Sequence, residues 1–258
     1  AVILTEGKSL QAETPHVFTD CGGVIGVSRY ANTTIDYRPR GGYGNYEFCL
    51  WTITPVENFK TLHLQFEVAD LELCCDGLIV YTWNSTGIVE ERRLKSTDFN
   101  SVLTFNGPYG AIAFSSNHIY HGEGFRIALL GTGRSGNELN GGSFVFNQTE
   151  GTFHYPKDTG VEEYPPNETV AVIIQSQWKR QNVSISFADI TDDLLSVFAL
   201  SPYYNSSDST IELIGTGTGE HPDGIPSLAT SWDYPRLIIF RSNDSKTGSG
   251  FIVSWVMA

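Results

Sequence analysis

Hydrophobic and polar residues alternate in short runs along most of the chain, which is the period-two pattern of half-buried β-strands. The clearest strand candidates lie at 62–66, 78–81, 125–129, 170–174, 183–187 and 251–255. Glycine, asparagine, aspartate and proline separate them throughout. No long segment repeats with the helical period, and the best helical candidate is a turn around 89–95. The pattern predicts an all-β fold of antiparallel sandwich or jelly-roll type.

A polar, glycine-rich segment divides the chain into two nearly equal halves and has the composition of a linker. The predicted organisation is an N-terminal arm at 1–20, a first domain at 21–130, a linker at 131–142 and a second domain at 143–258.

Two motifs recur in the same order in both halves, which indicates an internal repeat. Phe-x-Ser-Asn is followed after six residues by Gly-Phe at 114–125 and again at 240–251. Asp-x-Leu-x-Val followed by an aromatic residue occurs at 76–81 and at 193–198. A Gly-Gly pair stands near the start of each half, so we expect two tandem copies of one sandwich.

Composition narrows the class of protein. With 258 residues, 40% of them hydrophobic and 12% aromatic, the chain can form two cores. Charged residues are only 17%, so serine, threonine, asparagine, tyrosine or attached sugar must solvate the surface. The net charge of −13 repels phosphate backbones and argues against nucleic-acid binding. No apolar run is long enough to span a membrane, and the start at Ala1 resembles a processed secreted chain.

Seven Asn-x-Ser/Thr sequons occur in the chain, at Asn32, Asn84, Asn147, Asn167, Asn182, Asn205 and Asn243. Random placement of its 14 asparagines and 46 serines and threonines would give about 2.5 of them. The excess predicts a secreted, extracellular glycoprotein with N-linked glycans. The four cysteines suit an oxidising compartment, and no paired C-x-x-C spacing supports zinc.

The first half carries an ordered series of motifs. They begin at Cys21-Gly22-Gly23, continue through Asn45, Cys49 and Trp51, and close with Phe-Ser-Ser-Asn and Gly-Phe at 114–125. In this order they resemble the CUB domain, an extracellular β-sandwich. The second half opens with Gly-x-x-x-x-Pro and Tyr-Pro-x-Asn at 151–167, which is similar to the opening of the family. The resemblance implies two CUB-like domains, the second divergent and free of cysteine.

The resemblance also implies a Cys21–Cys49 disulfide. The second disulfide of the family lacks its later cysteine here, and two adjacent cysteines stand at Cys74 and Cys75. Adjacent Cα atoms lie about 3.8 Å apart, below the usual disulfide range, so a vicinal bond would be strained. The alternatives are a vicinal Cys74–Cys75 bond and a bridge to another chain. In the second half, valines at positions 170 and 172 replace the Cys-x-Trp of the family.

Calcium is the one cofactor that the resemblance implies. By position its ligands would be Glu72, Asp76 and Asn117. Calcium takes six to eight oxygen ligands, and an asparagine supplies an oxygen but no charge. The alternative is that Asp76 caps a turn and Glu72 is solvated. The corresponding Asn243 lies in a sequon and is therefore not a metal ligand.

No catalytic arrangement is recognisable in the sequence, which predicts a non-enzymatic protein. His118 and His121 have a zinc-like spacing, but no glutamate pair accompanies them. The glycine-rich segment at 215–219 follows a strand and opens no helix, unlike a dinucleotide-binding loop. No Gly-x-Ser-x-Gly motif is present.

Two functions remain. The first is a structural or adhesive module that assembles with itself or with an extracellular matrix or surface protein. Its sharper form is a fibre built through the arm, where Val2, Ile3 and Leu4 form an apolar strand that adds to a neighbouring sheet edge. The alternative for the arm is that it folds back onto the sheet edge of its own first domain and leaves a monomer. The alternative is a soluble extracellular recognition protein that binds a protein or carbohydrate, with calcium. A protease fragment is a third class, but no catalytic domain is present.

Overall fold

The computed structural model describes residues 16–38, 40–57, 59–72, 75–84, 87–94, 98, 101–119, 122–133, 141–175, 181–189, 193–200, 211–217, 234–244 and 247–257. The N-terminal half contains β1 (Val17–Phe18), β2 (Gly23–Val27), β3 (Thr33–Tyr37), β4 (Phe48–Pro55), β5 (Thr61–Asp70), β6 (Gly77–Asn84), β7 (Gly87–Arg93), β8 (Val102–Asn106), β9 (Tyr109–Ser115) and β10 (Gly124–Thr132). The C-terminal half contains β11 (Gly142–Phe146), β12 (Glu150–Tyr155), β13 (Thr169–Ile174), β14 (Gln181–Asp189), β15 (Leu194–Leu200), β16 (Ile211–Gly217), β17 (Arg236–Arg241) and β18 (Gly250–Met257). A short 3-10 turn occupies Lys157–Thr159.

The predicted all-β sandwich fold is confirmed. In the first sandwich, the sheet β1-β3-β10-β5-β8 packs against the sheet β2-β4-β9-β6-β7. In the second sandwich, β11-β13-β17-β15-β16 packs against β12-β18-β14. Neighbouring strands are antiparallel except for three parallel pairs, which are β1 with β3, β2 with β4 and β11 with β13.

The turn predicted around 89–95 is wrong, because residues 87–93 form the edge strand β7. Glutamate and arginine, which are frequent in this segment, favour helices in isolation. Pairing with β6 supplies hydrogen bonds to the backbone of β7, and this tertiary contact overrides the local preference.

Alternate residues of the strands build the cores of the two sandwiches. In β4, Cys49, Trp51 and Ile53 face the core of the first sandwich. In β13, Val170 and Val172 face the core of the second sandwich. These two valines stand where the family resemblance expects Cys-x-Trp, so apolar packing fills this part of the second core.

The two sandwiches also pack against each other, through a third apolar layer that the sequence analysis did not anticipate. Residues of opposite parity on the same strands form it, and they are Phe48, Leu50, Ile79, Tyr81, Trp83, Tyr109, Ala111, Ala113, Ala171, Ile173, Leu200, Leu237 and Ile239. Across this layer, Gln175 donates from Nε2 to the carbonyl of Leu50 at 3.2 Å and to Oγ1 of Thr52 at 3.1 Å. The strands of the described ranges therefore form a stack of four sheets with three buried layers between them.

Candidate functional site

Loops of the first sandwich meet around Asp76, a buried aspartate that is 3% exposed. Its Oδ2 accepts a hydrogen bond from the Tyr43 hydroxyl, and its Oδ1 accepts one from the backbone N–H of Asn117 at 2.9 Å. The side-chain nitrogen of Asn117 donates to Oε2 of Glu72 at 2.5 Å. The structure thus brings the three predicted calcium ligands together and adds Tyr43 to them.

The hydroxyl of Tyr43 lies at the centre of this group of side chains and holds it together by hydrogen bonds. Burial, followed by the hydrogen bond to Asp76, raises the pKa of Tyr43 to about 12. The phenol therefore stays protonated at neutral pH, and its hydroxyl donates a hydrogen bond to the aspartate. Its oxygen also accepts the backbone N–H of Glu72 at 3.2 Å, which ties a third loop to the same point.

The second sandwich repeats this arrangement around Asp193, which is 2% exposed. The Tyr164 hydroxyl donates to Oδ2 of Asp193, and the backbone N–H of Asn243 donates to Oδ1 at 2.8 Å. The two sequence motifs that recur in both halves therefore supply the same buried hydrogen bonds. In each sandwich a buried aspartate accepts hydrogen bonds from a tyrosine hydroxyl and from an asparagine backbone N–H, and these bonds hold the loop end together.

An exposed surface lies beside the first of these groups, and Tyr46, His118 and Ile119 form it; we call it the Tyr46 surface. Tyr46 is 59% exposed and Ile119 is 70% exposed. The rings of Tyr46 and His118 stack with centroids 5.8 Å apart and an interplanar angle of 14°. The backbone N–H of Tyr46 donates to the carbonyl of Asn117, and Asn45 donates to the carbonyl of His118. The surface is exposed and yet fixed by hydrogen bonds.

The corresponding position in the second sandwich carries a different side chain. Tyr46 has φ of 57° and Asn167 has φ of 58°, a left-handed conformation that is uncommon outside glycine. As Tyr46 donates to the Asn117 carbonyl, Asn167 donates its N–H to the Asn243 carbonyl, at 2.7 Å. Both asparagines of the second loop end belong to sequons. One backbone frame therefore presents an aromatic ring in the first sandwich and two glycosylation motifs in the second.

In this structure the predicted calcium ligands hydrogen-bond to other groups of the protein. Calcium requires oxygen ligands, but Asn117 turns its side-chain nitrogen towards Glu72. Its Oδ1 accepts the backbone N–H of Ile119 at 2.7 Å, so rotation of the amide would bring two donors together. Donors of Tyr43 and Asn117 already contact both oxygens of Asp76. Calcium at Glu72, Asp76 and Asn117 stays a prediction of the family resemblance.

The sequons occupy several surfaces of the molecule. Asn32, Asn147 and Asn167 are exposed. Asn84 and Asn243 are half-buried; Asn84 ends β6, and Asn243 lies two residues after the end of β17. Asn182 lies in β14, opposite Val256, and Asn205 lies outside the described residues.

A disulfide joins Cys21 to Cys49, with Cα atoms 4.9 Å apart. It ties the segment before β2 to β4, and Cys49 is buried in the first core. Cys75 is also disulfide-bonded, whereas Cys74 lies outside the described residues. The choice between a vicinal bond and a bridge to another chain therefore stays open.

Metal and membrane signals are few in the part of the chain that the structure describes. Within it, no group of three or more histidine, cysteine, aspartate or glutamate side chains is placed to hold a metal ion. No helix in the described ranges is long and apolar enough to cross a membrane. His118 stacks on Tyr46, and His121 of the zinc-like pair lies outside the described residues.

The sequence analysis missed Tyr43, Tyr46 and Tyr164 as parts of the loop ends. The signal that identifies them is the second-half opening, Tyr-Pro-Pro-Asn at 164–167. It aligns with Tyr-Gly-Asn-Tyr at 43–46. That alignment places Tyr43 opposite Tyr164, and Tyr46 opposite a sequon asparagine.

Replacing Tyr43 by phenylalanine is expected to lower the free energy of unfolding by about 1–3 kcal/mol, because the buried Asp76 loses a donor. Tyr164→Phe should have a similar effect, since Asp193 is held in the same way. Tyr30→Phe is the matched control at an exposed hydroxyl and should change stability by about 0.5 kcal/mol or less. Urea unfolding measures all three, and equal midpoints for Tyr43→Phe and Tyr30→Phe would contradict the assigned role.

No protein-family model matches the chain, and no curated protein matches it. Solved structures do give alignments. The CUB1-EGF-CUB2 domains of rat MASP-1 align at 17% identity with a TM-score of 0.35, covering 91% of this chain and all of that one. The full extracellular region of zebrafish Gpr126/Adgrg6 aligns at 15% identity and the same TM-score, covering 93% of this chain and 34% of that one.

A third structure is titled as the MASP-1 CUB2 domain bound to Ca2+. It aligns at 19% identity with a TM-score of 0.30, covering 45% of this chain and 96% of that one. At TM-scores this low, the three likenesses support no conclusion about function. The fold rests on the strands and sheets described above.

Proposed function

We propose that the chain is an extracellular, non-enzymatic interaction module. The observation that carries the proposal is the Tyr46 surface, where a tyrosine and an isoleucine stay exposed on a rigid loop end. Tyrosine is enriched at protein interfaces. A fixed side chain loses little conformational entropy on binding. The CUB-like motifs of the sequence and the Cys21–Cys49 disulfide support an extracellular setting.

Glycans test the extracellular part of the proposal. We expect most of the seven sequons to be occupied in protein from a eukaryotic secretory host, because three of the asparagines are exposed and the sequons exceed chance. Intact-mass spectrometry before and after glycosidase treatment measures the occupancy. A chain of unchanged mass after treatment would contradict the secreted, glycosylated assignment.

Self-assembly through the arm is the sharper form of the proposed function. Val2, Ile3 and Leu4 lie outside the described residues, but β1 of the same arm pairs in parallel with the edge of β3. Each buried apolar side chain would contribute about 1.5–3 kcal/mol, and each net strand hydrogen bond about 0.5–1.5 kcal/mol. An arm that enters the next molecule closes no ring and so builds a chain or fibre.

Deleting residues 1–7 is expected to leave a monomer where the intact chain associates, because the apolar strand is lost. Light scattering of both chains over a range of concentrations measures this. The double variant Tyr46→Ala/Ile119→Ser, run beside them, shows whether the Tyr46 surface contributes to the same contact. If the intact chain is a monomer at every concentration, assembly is wrong and a soluble recognition role for a protein or carbohydrate ligand takes its place.

A further inference from the structure

A glutamate occupies equivalent positions at the two loop ends, and in the first sandwich both of its carboxylate oxygens are satisfied. Oε2 of Glu47 accepts from the Tyr37 hydroxyl, and Oε1 accepts from the backbone N–H of Gly44 at 2.8 Å. The backbone of Glu47 exchanges two hydrogen bonds with Ser116, whose hydroxyl also donates to the Gly44 carbonyl at 2.7 Å.

Glu168 holds the same place in the second sandwich. Its backbone exchanges two hydrogen bonds with Ser242, whose hydroxyl donates to the carbonyl of Pro165 at 3.0 Å. Tyr155 hydrogen-bonds to its carboxyl. Pro165 is therefore the counterpart of Gly44, and Tyr155 is the counterpart of Tyr37. The register agrees, because Tyr37 pairs with Phe125 as Tyr155 pairs with Phe251.

The carboxyl groups of Glu47 and Glu168 differ in one hydrogen-bond donor. Proline has no backbone N–H, so Pro165 cannot supply the hydrogen bond that Gly44 gives to Glu47. Oε2 of Glu168 is buried and has no hydrogen-bond partner among the described residues. Glu168 is only 8% exposed, so this oxygen has little contact with bulk water.

We propose that the carboxyl of Glu168 keeps its proton in the folded chain, and that this neutral form makes the loop end of the second sandwich tighter in mild acid. An ionised carboxylate at this position would leave a buried anionic oxygen without a donor, whereas a neutral carboxyl leaves only an unpaired acceptor. Burying the ionised form therefore costs far more free energy than burying the neutral form. This inference does not depend on the proposed function.

Among the described residues, the surroundings of Glu168 contain little that would favour the charged form. Burial raises the pKa of Glu168, and the Tyr155 hydrogen bond lowers it by less. Tyr155 is the one titratable group of the described residues that acts on the carboxyl. Ser242, which hydrogen-bonds to the Glu168 backbone, and Gly141, which lies beside the Glu168 side chain, are uncharged. Burial also raises the pKa of Tyr155, so its hydroxyl stays protonated beside the carboxyl.

The sign of the pH effect follows from the direction of this shift. A carboxyl whose pKa is higher in the folded state than in the unfolded state binds its proton more tightly when folded. The stabilisation is fully present below the unfolded pKa of Glu168 and is lost as pH rises through the folded pKa. Glu168 therefore makes the second sandwich less stable at neutral and alkaline pH than in mild acid.

The test compares Glu168→Gln with Glu47→Gln in the full chain, by thermal unfolding from about pH 4 to about pH 8. Glu168→Gln should raise the unfolding midpoint over wild type by about 2–4 °C at the alkaline end. This gain should vanish at the acid end, because glutamine mimics the neutral acid. Glu47→Gln removes an acceptor from two donors and should lower the midpoint across the range.

Two further measurements keep the proposal open to contradiction. Titration of the Glu168 side-chain carboxyl by ¹³C NMR, assigned by its absence from Glu168→Gln, should give a midpoint above the usual glutamate range. Pro165→Gly supplies the missing N–H and should move that midpoint down. An ordinary midpoint, or a Glu168→Gln variant destabilised at every pH as Glu47→Gln is, would overturn the proposal.

Discussion

Replacing Ile173 by aspartate is expected to lower the free energy of unfolding by about 3–5 kcal/mol, because it leaves an unpaired charge in a buried layer. Ile173 is fully buried in the apolar layer between the two sandwiches and does not belong to either core. The loss therefore reports on the packing of one sandwich against the other. Urea unfolding followed by tryptophan fluorescence measures it, since Trp83 belongs to the same layer.

The matched control for this variant is Val256→Asp. Val256 lies in β18 on the outer face of the stack and is 54% exposed. A new charge there stays in water, and because Glu150 lies opposite on β12, it should lower stability by about 1 kcal/mol or less. If Ile173→Asp is as mild as Val256→Asp, the face of β13 that carries Ile173 is open to solvent and the sandwiches do not pack together.

Removing the Cys21–Cys49 disulfide is expected to lower the free energy of unfolding by about 3–4 kcal/mol in the double variant Cys21→Ala/Cys49→Ala. The two residues are 28 positions apart, and the bond restricts a loop of that size in the unfolded chain. Alanine at position 49 also leaves a gap in the first core, because Cys49 is 1% exposed.

This loss has two causes, the lost loop closure and the gap in the core, and the second sandwich indicates how to separate them. Val170 occupies the position of Cys49 there, since it pairs with Phe240 as Cys49 pairs with Phe114. Cys21→Ala/Cys49→Val should therefore recover the packing part of the loss and keep the loop-closure part. Equilibrium urea unfolding of both variants measures the difference. A wild-type midpoint for the valine variant would show that the bond contributes nothing to stability.

The strands were predictable because each short apolar run lies between turn residues. On the two outer sheets, burial also alternates with the period of two that a half-buried strand shows. In β8 and β14 buried residues alternate with exposed ones. The two inner sheets break this rule, since all six residues of β13 are buried. A strand covered on both faces reads as a continuous apolar run, and its sequence does not say which layer covers the second face.

The loop end was predictable only in part. Spacing within the family motif placed Glu72, Asp76 and Asn117 together, and the structure brings them within hydrogen-bond distance. The backbone N–H of Ile119 determines which atom of the Asn117 amide faces Glu72, because it donates to Oδ1. No sequence pattern predicts this orientation of the amide. The missing donor at Pro165 is visible in the sequence, but only once the loop ends are aligned residue by residue.

Small-angle X-ray scattering of the glycosidase-treated chain, recorded on the monomer peak of a sizing column, tests whether the two sandwiches pack against each other through the buried apolar layer. This packing fixes the Tyr46 surface relative to the sequons of the second sandwich. We expect a single-peaked distance distribution and a scattering curve that the stacked arrangement fits without rearrangement. A distribution with two maxima, fitted only by sandwiches that move independently, would contradict it.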